Sequence, residues 1–304
     1  MSVREKLRDL RESKKQILVV GFGVTGQSVA RVLVGAGLQV IVVERANEDR
    51  FSGINTEINY LREQGAQIHF GVEGEVAAPL LRNVGLCVVS PGISLESAVL
   101  APVLRNTIPI ISEIDFATDL LGIKSIVVTG SNGKSTTVSL IHDFLQCSGR
   151  NSVLCGNIGR PVIDELTPDL LWGAKQTAVE LLVIEASSYQ LETCTLLHPK
   201  VAVWLNLSDN HLERHGTLER YLQAKSRVFA RQSSSDFAVL NGDDPYFTLM
   251  RPYVSAEQSL FFKARPRGFK QGAYLDFDPS RGRNELVLEN GSFREVFDLS
   301  EIKL

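Results

Sequence analysis

A glycine-rich turn between a predicted strand and a predicted helix is the stretch of this sequence best suited to binding a phosphate. Residues 126–128 form a β-branched run typical of a buried strand, and a helical spacing of apolar residues begins at Ser135. A helix that starts directly after such a turn directs unpaired N–H groups and its positive dipole end into the turn. We therefore predict nucleotide binding by the turn residues, which are Gly130, Ser131, Asn132, Gly133, Lys134, Ser135 and Thr136.

Two side chains of this turn have distinct chemical roles. Lys134 can reach the outer phosphates as a point charge, and the hydroxyl of Ser135 can ligate a Mg²⁺ ion held between them. The common phosphate-loop pattern has a glycine where this sequence has Val128, so that pattern is not met. The alternative interpretation is a plain left-handed glycine turn in which Lys134 is solvated.

Polar side chains also follow two other apolar strands. The strand predicted over 181–184 ends at Glu185, and the strand predicted over 201–207 leads to His211. If both join 126–128 in one parallel sheet, Ser135, Glu185 and His211 surround the γ-phosphate as Mg²⁺ ligands. Histidine is an unusual ligand for so hard an ion. Alternatively, Glu185 caps a helix and His211 caps a turn.

Lys225 lies on the apolar face of the helix predicted over 218–231, four residues from both Tyr221 and Phe229. A lysine at such a position commonly extends its ammonium group to solvent. The alternative is a lysine turned into the site, where loss of solvent favours the neutral amine. A neutral amine can react with CO₂ to form a carbamate, which is an anionic oxygen ligand for a metal.

Another glycine-rich turn lies near the start of the chain. Gly21, Gly23 and Gly26 form the pattern G-x-G-x-x-G between a predicted strand and a predicted helix, and the next strand ends at Glu44. Taken alone, this arrangement is typical of NAD or FAD binding, with the acid on a ribose. The glycines themselves indicate only that a phosphate-bearing ligand can approach the backbone.

Length and pattern predict two domains of the α/β class. Residues 1–111 are predicted to form a Rossmann-like domain with a parallel sheet. In it, the turn at 90–93 ends a strand and is either part of a ligand site or a plain turn. Residues 112–304 are predicted to form a P-loop-type α/β domain with a small antiparallel sheet near the C-terminus, where Asn290 and Gly291 indicate a hairpin turn.

Composition excludes several classes of protein. The formal net charge of −3 offers no electrostatic footprint for nucleic acid or an anionic membrane. No apolar run approaches the roughly 18–20 residues of a membrane span, and the N-terminal segment lacks an apolar signal core. The four cysteines form no CxxC pair, which indicates reduced thiols. We expect a cytoplasmic monomer that binds neither nucleic acid nor a membrane.

Five motifs in order along the chain resemble those of the Mur ligases of peptidoglycan synthesis. The motifs are TGSNGKST, GNIG, IEASSYQLE, NLSDNHLERHG and YLQAKSRVF, and the resemblance covers nearly the whole chain. The combination of GFGVTG with GSNGKST is similar to the family member that joins D-glutamate to UDP-N-acetylmuramoyl-L-alanine. The resemblance therefore implies these two substrates, ATP and Mg²⁺, and it implies UDP rather than NAD in the first domain.

The resemblance also assigns roles to residues, position by position. It implies contacts with the UDP-sugar substrate at Val24, Thr25, Glu44, Arg45, Ser90, Pro91, Gly92 and Asn157. It implies catalytic roles for Lys134, Lys225 and His211, and metal binding by Ser135, Glu185, His211 and Lys225. Lys225 matches the carbamylated lysine of the family.

The implied reaction is ATP-driven amide formation through an acyl phosphate. The substrate carboxylate attacks the γ-phosphate, and the amine of D-glutamate then displaces phosphate, while Mg²⁺ and Lys134 offset the repulsion between anions. Family members carry a third domain that contacts the amino acid, and this chain stops at Leu304, so we expect a truncated form that does not complete the ligation. The alternatives are a sibling amide ligase or folylpolyglutamate synthase, an NAD-binding oxidoreductase with a P-loop module, and a non-catalytic nucleotide-binding regulator.

Overall fold

The computed structural model describes residues 2–174, 178–208, 212–267, 269, 271–290 and 292–299, and its strands fall into two sheets. The first sheet is parallel and has the order β3-β2-β1-β4-β5. Its strands are β1 (Gln16–Val20), β2 (Gln39–Val43), β3 (Gln67–His69), β4 (Val84–Val89) and β5 (Ile110–Ser112). Most residues of the three inner strands are buried, as expected for a parallel sheet covered on both faces.

The helices of this first part are α1 (Val3–Glu12), α2 (Val24–Gly35), α3 (Asn55–Glu63), α4 (Ala78–Leu81) and α5 (Ala101–Arg105), with 3₁₀ turns at Glu48–Ile54 and Ala98–Leu100. The charged N-terminal segment forms α1. Ser2 and Glu5 cap it reciprocally, and it buries Val3, Leu7 and Leu10. Burial of this apolar stripe explains why the charged segment is ordered.

Within the described residues, the second sheet has nine strands in the order β14-β13-β12-β11-β10-β9-β6-β8-β7. They are β6 (Lys124–Thr129), β7 (Ser152–Gly156), β8 (Leu181–Glu185), β9 (Val201–Trp204), β10 (Phe237–Asn241), β11 (Glu257–Phe262), β12 (Gln271–Asp278), β13 (Arg283–Asn290) and β14 (Phe293–Asp298). The predicted α/β class, with antiparallel strands near the C-terminus, is confirmed. These strands do not form a separate sheet, because β12 pairs in parallel with β11 and so extends the central sheet. Gly291 of the predicted hairpin lies outside the described residues.

The helices of the second part are α6 (Glu113–Leu121), α7 (Lys134–Cys147), α8 (Pro168–Leu171), α9 (Ser188–Leu191), α10 (Leu212–His215), α11 (Leu218–Ser226) and α12 (Phe247–Met250), with 3₁₀ turns at Val162–Glu165, Arg227–Phe229 and Arg251–Tyr253. Strand β9 ends earlier than predicted. The amide of Leu207 donates instead to the carboxylate of Asp244, and the carbonyl of Asn206 accepts from Ser131. These bonds replace the strand ladder after Trp204.

Helix α6 joins the two sheets and lies in the interior. Asp115 on this helix accepts hydrogen bonds from the amides of Thr195, Leu196 and Leu197, and Glu113 accepts one from the amide of Ile163. One apolar cluster also includes side chains from both sheets. The two sheets are therefore packed as one body on this side. Among the described residues, no helix combines the length and the apolar character needed to cross a membrane.

Candidate functional site

The carboxyl ends of four neighbouring strands of the second sheet meet at one edge. The register pairs Val128 with Glu185, Gly156 with Glu185, and Thr129 with Trp204. Three strands were predicted to share one parallel sheet, namely the strands that precede the glycine turn, Glu185 and His211. The parallel pairing of β6 with β8 and β9 confirms this prediction. Open α/β sheets bind ligands at such an edge.

The second glycine turn, residues 130–133, follows β6 at this edge. Gly133 serves as the N-cap of α7 and has a φ of +83°. A residue with a Cβ adopts this left-handed conformation only with strain. Gly130 packs closely, since a Cβ there would lie 2.9 Å from the Cβ of Leu205. The turn is thus shaped to bring α7 directly after the strand, and the first N–H groups of α7 have no acceptor within the helix.

Asn206 holds this turn, and the sequence reasoning missed it. The amide of Ser131 donates to the Asn206 carbonyl, and the amide of Asn132 donates to its side-chain oxygen, each at 2.9 Å. Two of the predicted phosphate-binding amides are therefore already used, and the amides at 134–136 are the ones suited to an anion. The available signal was a polar residue soon after a strand that neighbours β6.

Two lysines converge on the carbonyl oxygen of Gly130. The Nζ of Lys134 lies 3.0 Å from it and the Nζ of Lys225 lies 2.8 Å from it. Lys225 is only 1% exposed and its ammonium group stacks over the ring of Tyr221. It therefore does not extend to solvent, although it sits on the apolar helix face.

Burial and neighbouring charges perturb both amines. Burial and, to a smaller extent, the ammonium of Lys134 lower the pKa of Lys225 to about 7, against the opposing effect of the Glu185 carboxylate. Burial also lowers the pKa of Lys134, against the attraction of Glu185. At neutral pH, a substantial fraction of Lys225 is then the nucleophilic neutral amine.

Glu185 is the buried acid of this edge. Its Oε2 accepts a hydrogen bond from the Ser135 hydroxyl at 2.8 Å, and its Oε1 accepts one from the Asn157 amide group at 2.7 Å. Neighbouring oxygen ligands in an octahedral Mg²⁺ shell, each about 2.1 Å from the ion, lie about 3 Å apart. Ser135 Oγ and Glu185 Oε2 therefore fit two adjacent positions of such a shell.

The remaining predicted ligands are placed only in part. His211 lies outside the described residues. Within the described part of the chain, no group of three His, Cys, Asp or Glu side chains could hold a metal ion. The two protein oxygens therefore suit an ion that completes its shell with phosphate oxygens and water, as Mg²⁺ commonly does.

A cavity of about 470 Å³ lies at the carboxyl ends of the first sheet. Three of the predicted UDP-sugar residues line it, namely Glu44, Arg45 and Gly92, together with residues that the prediction missed, including Glu73, Ser94 and Ser97. Four other predicted residues, Val24, Thr25, Ser90 and Pro91, are not among its lining residues. The volume is in the range of small-molecule sites.

The carboxylate of Glu44 is tied to the first glycine turn, residues 21–26. Its Oε2 accepts from the amide of Phe22 at 2.6 Å, and its Oε1 accepts from the amide of Ala46 at 2.8 Å. Each oxygen is therefore partly occupied by the protein backbone. This use differs from the free ribose-binding acid that the G-x-G-x-x-G pattern predicts on its own.

Comparison with known proteins agrees with this architecture. The family model described as "Mur ligase MurD-like, N-terminal domain" matches residues 15–112. The family model described as "Mur ligase middle domain" matches residues 128–276. The chain is 35% identical over 266 residues to the UDP-N-acetylmuramoylalanine–D-glutamate ligase of Pelotomaculum thermopropionicum, covering 86% of this chain and 54% of that protein. It is 36% identical over 293 residues to the ligase of the same name from Acidobacterium capsulatum, covering 95% and 59%.

A solved structure shares the fold. The UDP-N-acetylmuramate:L-alanyl-gamma-D-glutamyl-meso-diaminopimelate ligase from Neisseria meningitides superposes with a TM-score of 0.55 at 20% identity, covering 90% of this chain and 84% of that one. Fold and matches together define a two-part α/β protein whose parts correspond to the N-terminal and middle domains of Mur ligases.

The chain belongs to the Mur ligase family, with a MurD-like N-terminal domain followed by a Mur ligase middle domain. It spans about half the length of the curated relatives it matches.

Proposed function

We propose that this chain forms the UDP-sugar-binding and ATP-binding parts of a ligase that joins D-glutamate to UDP-N-acetylmuramoyl-L-alanine. The relatives that match over most of the chain carry the name of this ligase. The observation that carries the proposal is the meeting of Lys134, Ser135 and Glu185 at one sheet edge. We assign residues 1–111 to the sugar-nucleotide domain and 112–304 to the ATP domain.

The second glycine turn would bind the ATP phosphates. The amides at 134–136 point from the start of α7, and Lys134 would exchange its contacts with loop carbonyls for phosphate oxygens. Ser135 and Glu185 would hold Mg²⁺ together with His211, and the ion when bound supplies charge neutralisation for phosphoryl transfer. Asn157 donates to Glu185 and keeps its carboxylate oriented toward Ser135.

Lys225 would carry the carbamate. Its amine is enclosed at the same edge as Lys134, and a carbamate there would place an anionic group close to that ammonium. Incubation with ¹³C-labelled bicarbonate should give a carbamate carbon resonance that disappears in Lys225→Met and remains in Lys200→Met. A spectrum without this resonance at neutral and mildly alkaline pH would show that the amine stays unmodified.

The cavity of the first sheet would take the UDP group. Arg45, Ser94 and Ser97 supply a charge and hydroxyls. Both oxygens of Glu44 already accept from backbone amides, so this carboxylate is less suited to the ribose contact typical of NAD. Calorimetric titration of the chain should show binding of UDP-N-acetylmuramoyl-L-alanine and no binding of NADH. Tight NADH binding without binding of the UDP-sugar would replace the proposed function by the oxidoreductase alternative.

A further inference from the structure

Arg214 on α10 reaches from the second sheet to the cavity of the first. Its Nη1 donates to the carbonyl of Gly92 at 3.0 Å, across 122 positions of sequence. Its Nη2 and Nε donate to Oε2 of Glu192 at 2.9 and 3.2 Å. The guanidinium group also lies over the ring of Tyr189, 5.1 Å from its centre. The side chain is therefore held from three sides, and only 18% of it is exposed.

The acceptor of this long-range bond, the carbonyl of Gly92, belongs to a wall of the cavity of the first sheet. We define the β4 loop as residues 90–97, of which Gly92, Ile93, Ser94 and Ser97 line the cavity. Within the loop, the amide of Ile93 donates to Ser90 and the amide of Ser97 donates to Ser94. These are short-range turns, which leave the position of the loop relative to the second sheet to contacts such as that of Arg214.

A row of rings continues from Arg214 to the second glycine turn. The ring of Tyr189 lies 5.7 Å from that of His215, and His215 lies 5.2 Å from Tyr221. The hydroxyl of Tyr221 lies 3.1 Å from the hydroxyl of Ser131. The carbonyl of Gly92 is therefore connected to the second glycine turn through one guanidinium group and three packed rings.

We propose that Arg214 is a positioning residue that fixes the β4 loop relative to the second glycine turn. An arginine suits this task because its planar fork can donate in several directions while it stacks on a ring. The restraint is a property of the chain itself. Its consequence for ligands rests on the proposed function, because the β4 loop would contact the UDP-sugar and the glycine turn would contact ATP.

A second arginine provides a matched control. Arg220 on α11 also reaches the β4 loop, where its Nη1 lies 3.4 Å from a carboxylate oxygen of Glu96. Both side chains of this pair are strongly exposed, at 65% and 81%. Exposed ion pairs of this kind contribute little, so loss of Arg220 should leave the loop in place.

Hydrogen exchange in the full chain without ligands tests the restraint. Arg214→Met keeps the alkyl stem over Tyr189 and removes the donors. In this variant we expect the rate of amide exchange in the β4 loop to rise about tenfold, because hydrogen bonds from a charged donor are strong. Exchange in β1 of Arg214→Met and exchange in the β4 loop of Arg220→Met should both stay unchanged. Unchanged exchange in the β4 loop of Arg214→Met, or an equal rise in Arg220→Met, would overturn the proposal. If exchange rises throughout the whole chain of Arg214→Met, the same measurement on Arg214→Lys is used instead. A smaller rise that is confined to the β4 loop of Arg214→Lys supports the proposal, and the absence of such a rise overturns the proposal.

Ligand binding separates this proposal from the proposed function. In Arg214→Met, affinity for UDP-N-acetylmuramoyl-L-alanine should fall about tenfold, while affinity for a non-hydrolysable ATP analogue with Mg²⁺ changes less than about twofold. Arg214→Lys should recover part of the loss. If the unsubstituted chain does not bind the UDP-sugar, the proposed function fails, and the exchange experiment still decides whether Arg214 positions the loop. A uniform loss of both affinities would contradict the positioning role.

Discussion

The two glycine turns share a motif and differ in electrostatics. Each follows a parallel strand and precedes a helix, at the carboxyl edge of its own sheet. At the first turn, the amide of Phe22 already donates to a carboxylate of the protein, that of Glu44. At the second turn, two lysines point at one carbonyl, and the start of α7 faces the same edge. The first turn therefore carries its own anion, whereas the second concentrates positive charge for an external one.

The two turns show that a glycine pattern specifies the shape of the backbone rather than the ligand. Glycines allow a tight turn and close packing at both places, but the charges of the neighbouring side chains determine which ligand groups can bind. We propose that a sugar nucleotide binds in the cavity of the first sheet, where Arg45 supplies the positive charge, and that a triphosphate binds at the second turn, where Lys134 supplies it.

The largest expected effect is the loss of stability when the close packing of the first glycine turn is disturbed. A Cβ at Gly26 would lie 1.9 Å from the carbonyl oxygen of Gly21, whereas a Cβ at Gly23 would meet nothing within 4 Å. Gly26→Ala should lower the free energy of unfolding by about 3 kcal/mol through overpacking. Gly23→Ala should cost about 0.5 kcal/mol, because glycine is only modestly better than alanine at an N-cap. Urea denaturation followed by circular dichroism measures both, and equal losses would show that the turn does not need the close approach.

The next largest effect separates the charges of the two turns. Lys134→Ala removes an ammonium group aimed at the second turn and should weaken binding of an ATP analogue about 100-fold, since charge-assisted hydrogen bonds are strong. Binding of the UDP-sugar should stay unchanged.

Lys124→Ala is the control: Lys124 lies at the start of β6, at the opposite end of that strand from the second glycine turn, and its loss should change neither affinity. If Lys134→Ala weakened both ligands equally, the two turns would not be separate sites.

A smaller effect tests the metal position. Glu185→Gln keeps the shape of the side chain and removes the charge beside Ser135. It should weaken binding of the ATP analogue about tenfold in the presence of Mg²⁺, the range expected for loss of one charged partner. In the presence of a chelator, the two proteins should bind the analogue alike. A loss that persists without Mg²⁺ would assign Glu185 a purely structural role.

The smallest expected effect is the change in folding stability per pH unit that the titration of Lys225 causes. Its pKa falls from an ordinary value of 10.5 to about 7 in the folded chain, so between these pH values the unfolded state binds more protons. Stability should therefore rise with pH across this window, by at most about 1.4 kcal/mol per unit from this group, and the contribution is lost as pH falls toward 7.

Lys225→Met removes this contribution, so the stability of the unsubstituted chain relative to the variant should increase from pH 7 to pH 10. Urea denaturation in CO₂-free buffer at several pH values provides the comparison. Parallel pH profiles of the two proteins would mean that Lys225 titrates normally in the folded chain.

The sequence predicted the strands and turns of both sites because the signals are local. Residues 126–128 form a β-branched run and 181–184 an apolar run, and they are followed, as expected, by the turn that leads to Ser135 and by Glu185. The prediction missed Asn206, because its hydrogen bonds to residues 131 and 132 exist only once β9 lies beside β6. It also missed β11, whose sequence lacks clean alternation and whose pairing with β12 turns the antiparallel strands into an extension of the central sheet. Side-chain partners set by long-range strand pairing were thus beyond the reach of local patterns.

The proposed function requires the chain to hold two different nucleotide ligands at once. The most direct measurement is a calorimetric titration of an ATP analogue with Mg²⁺ into the 304-residue chain already saturated with UDP-N-acetylmuramoyl-L-alanine. We predict that one equivalent of the analogue binds while the UDP-sugar stays bound, and that Lys134→Ala removes only this second binding event. Displacement of the UDP-sugar by the analogue would place both ligands in one site and contradict the account.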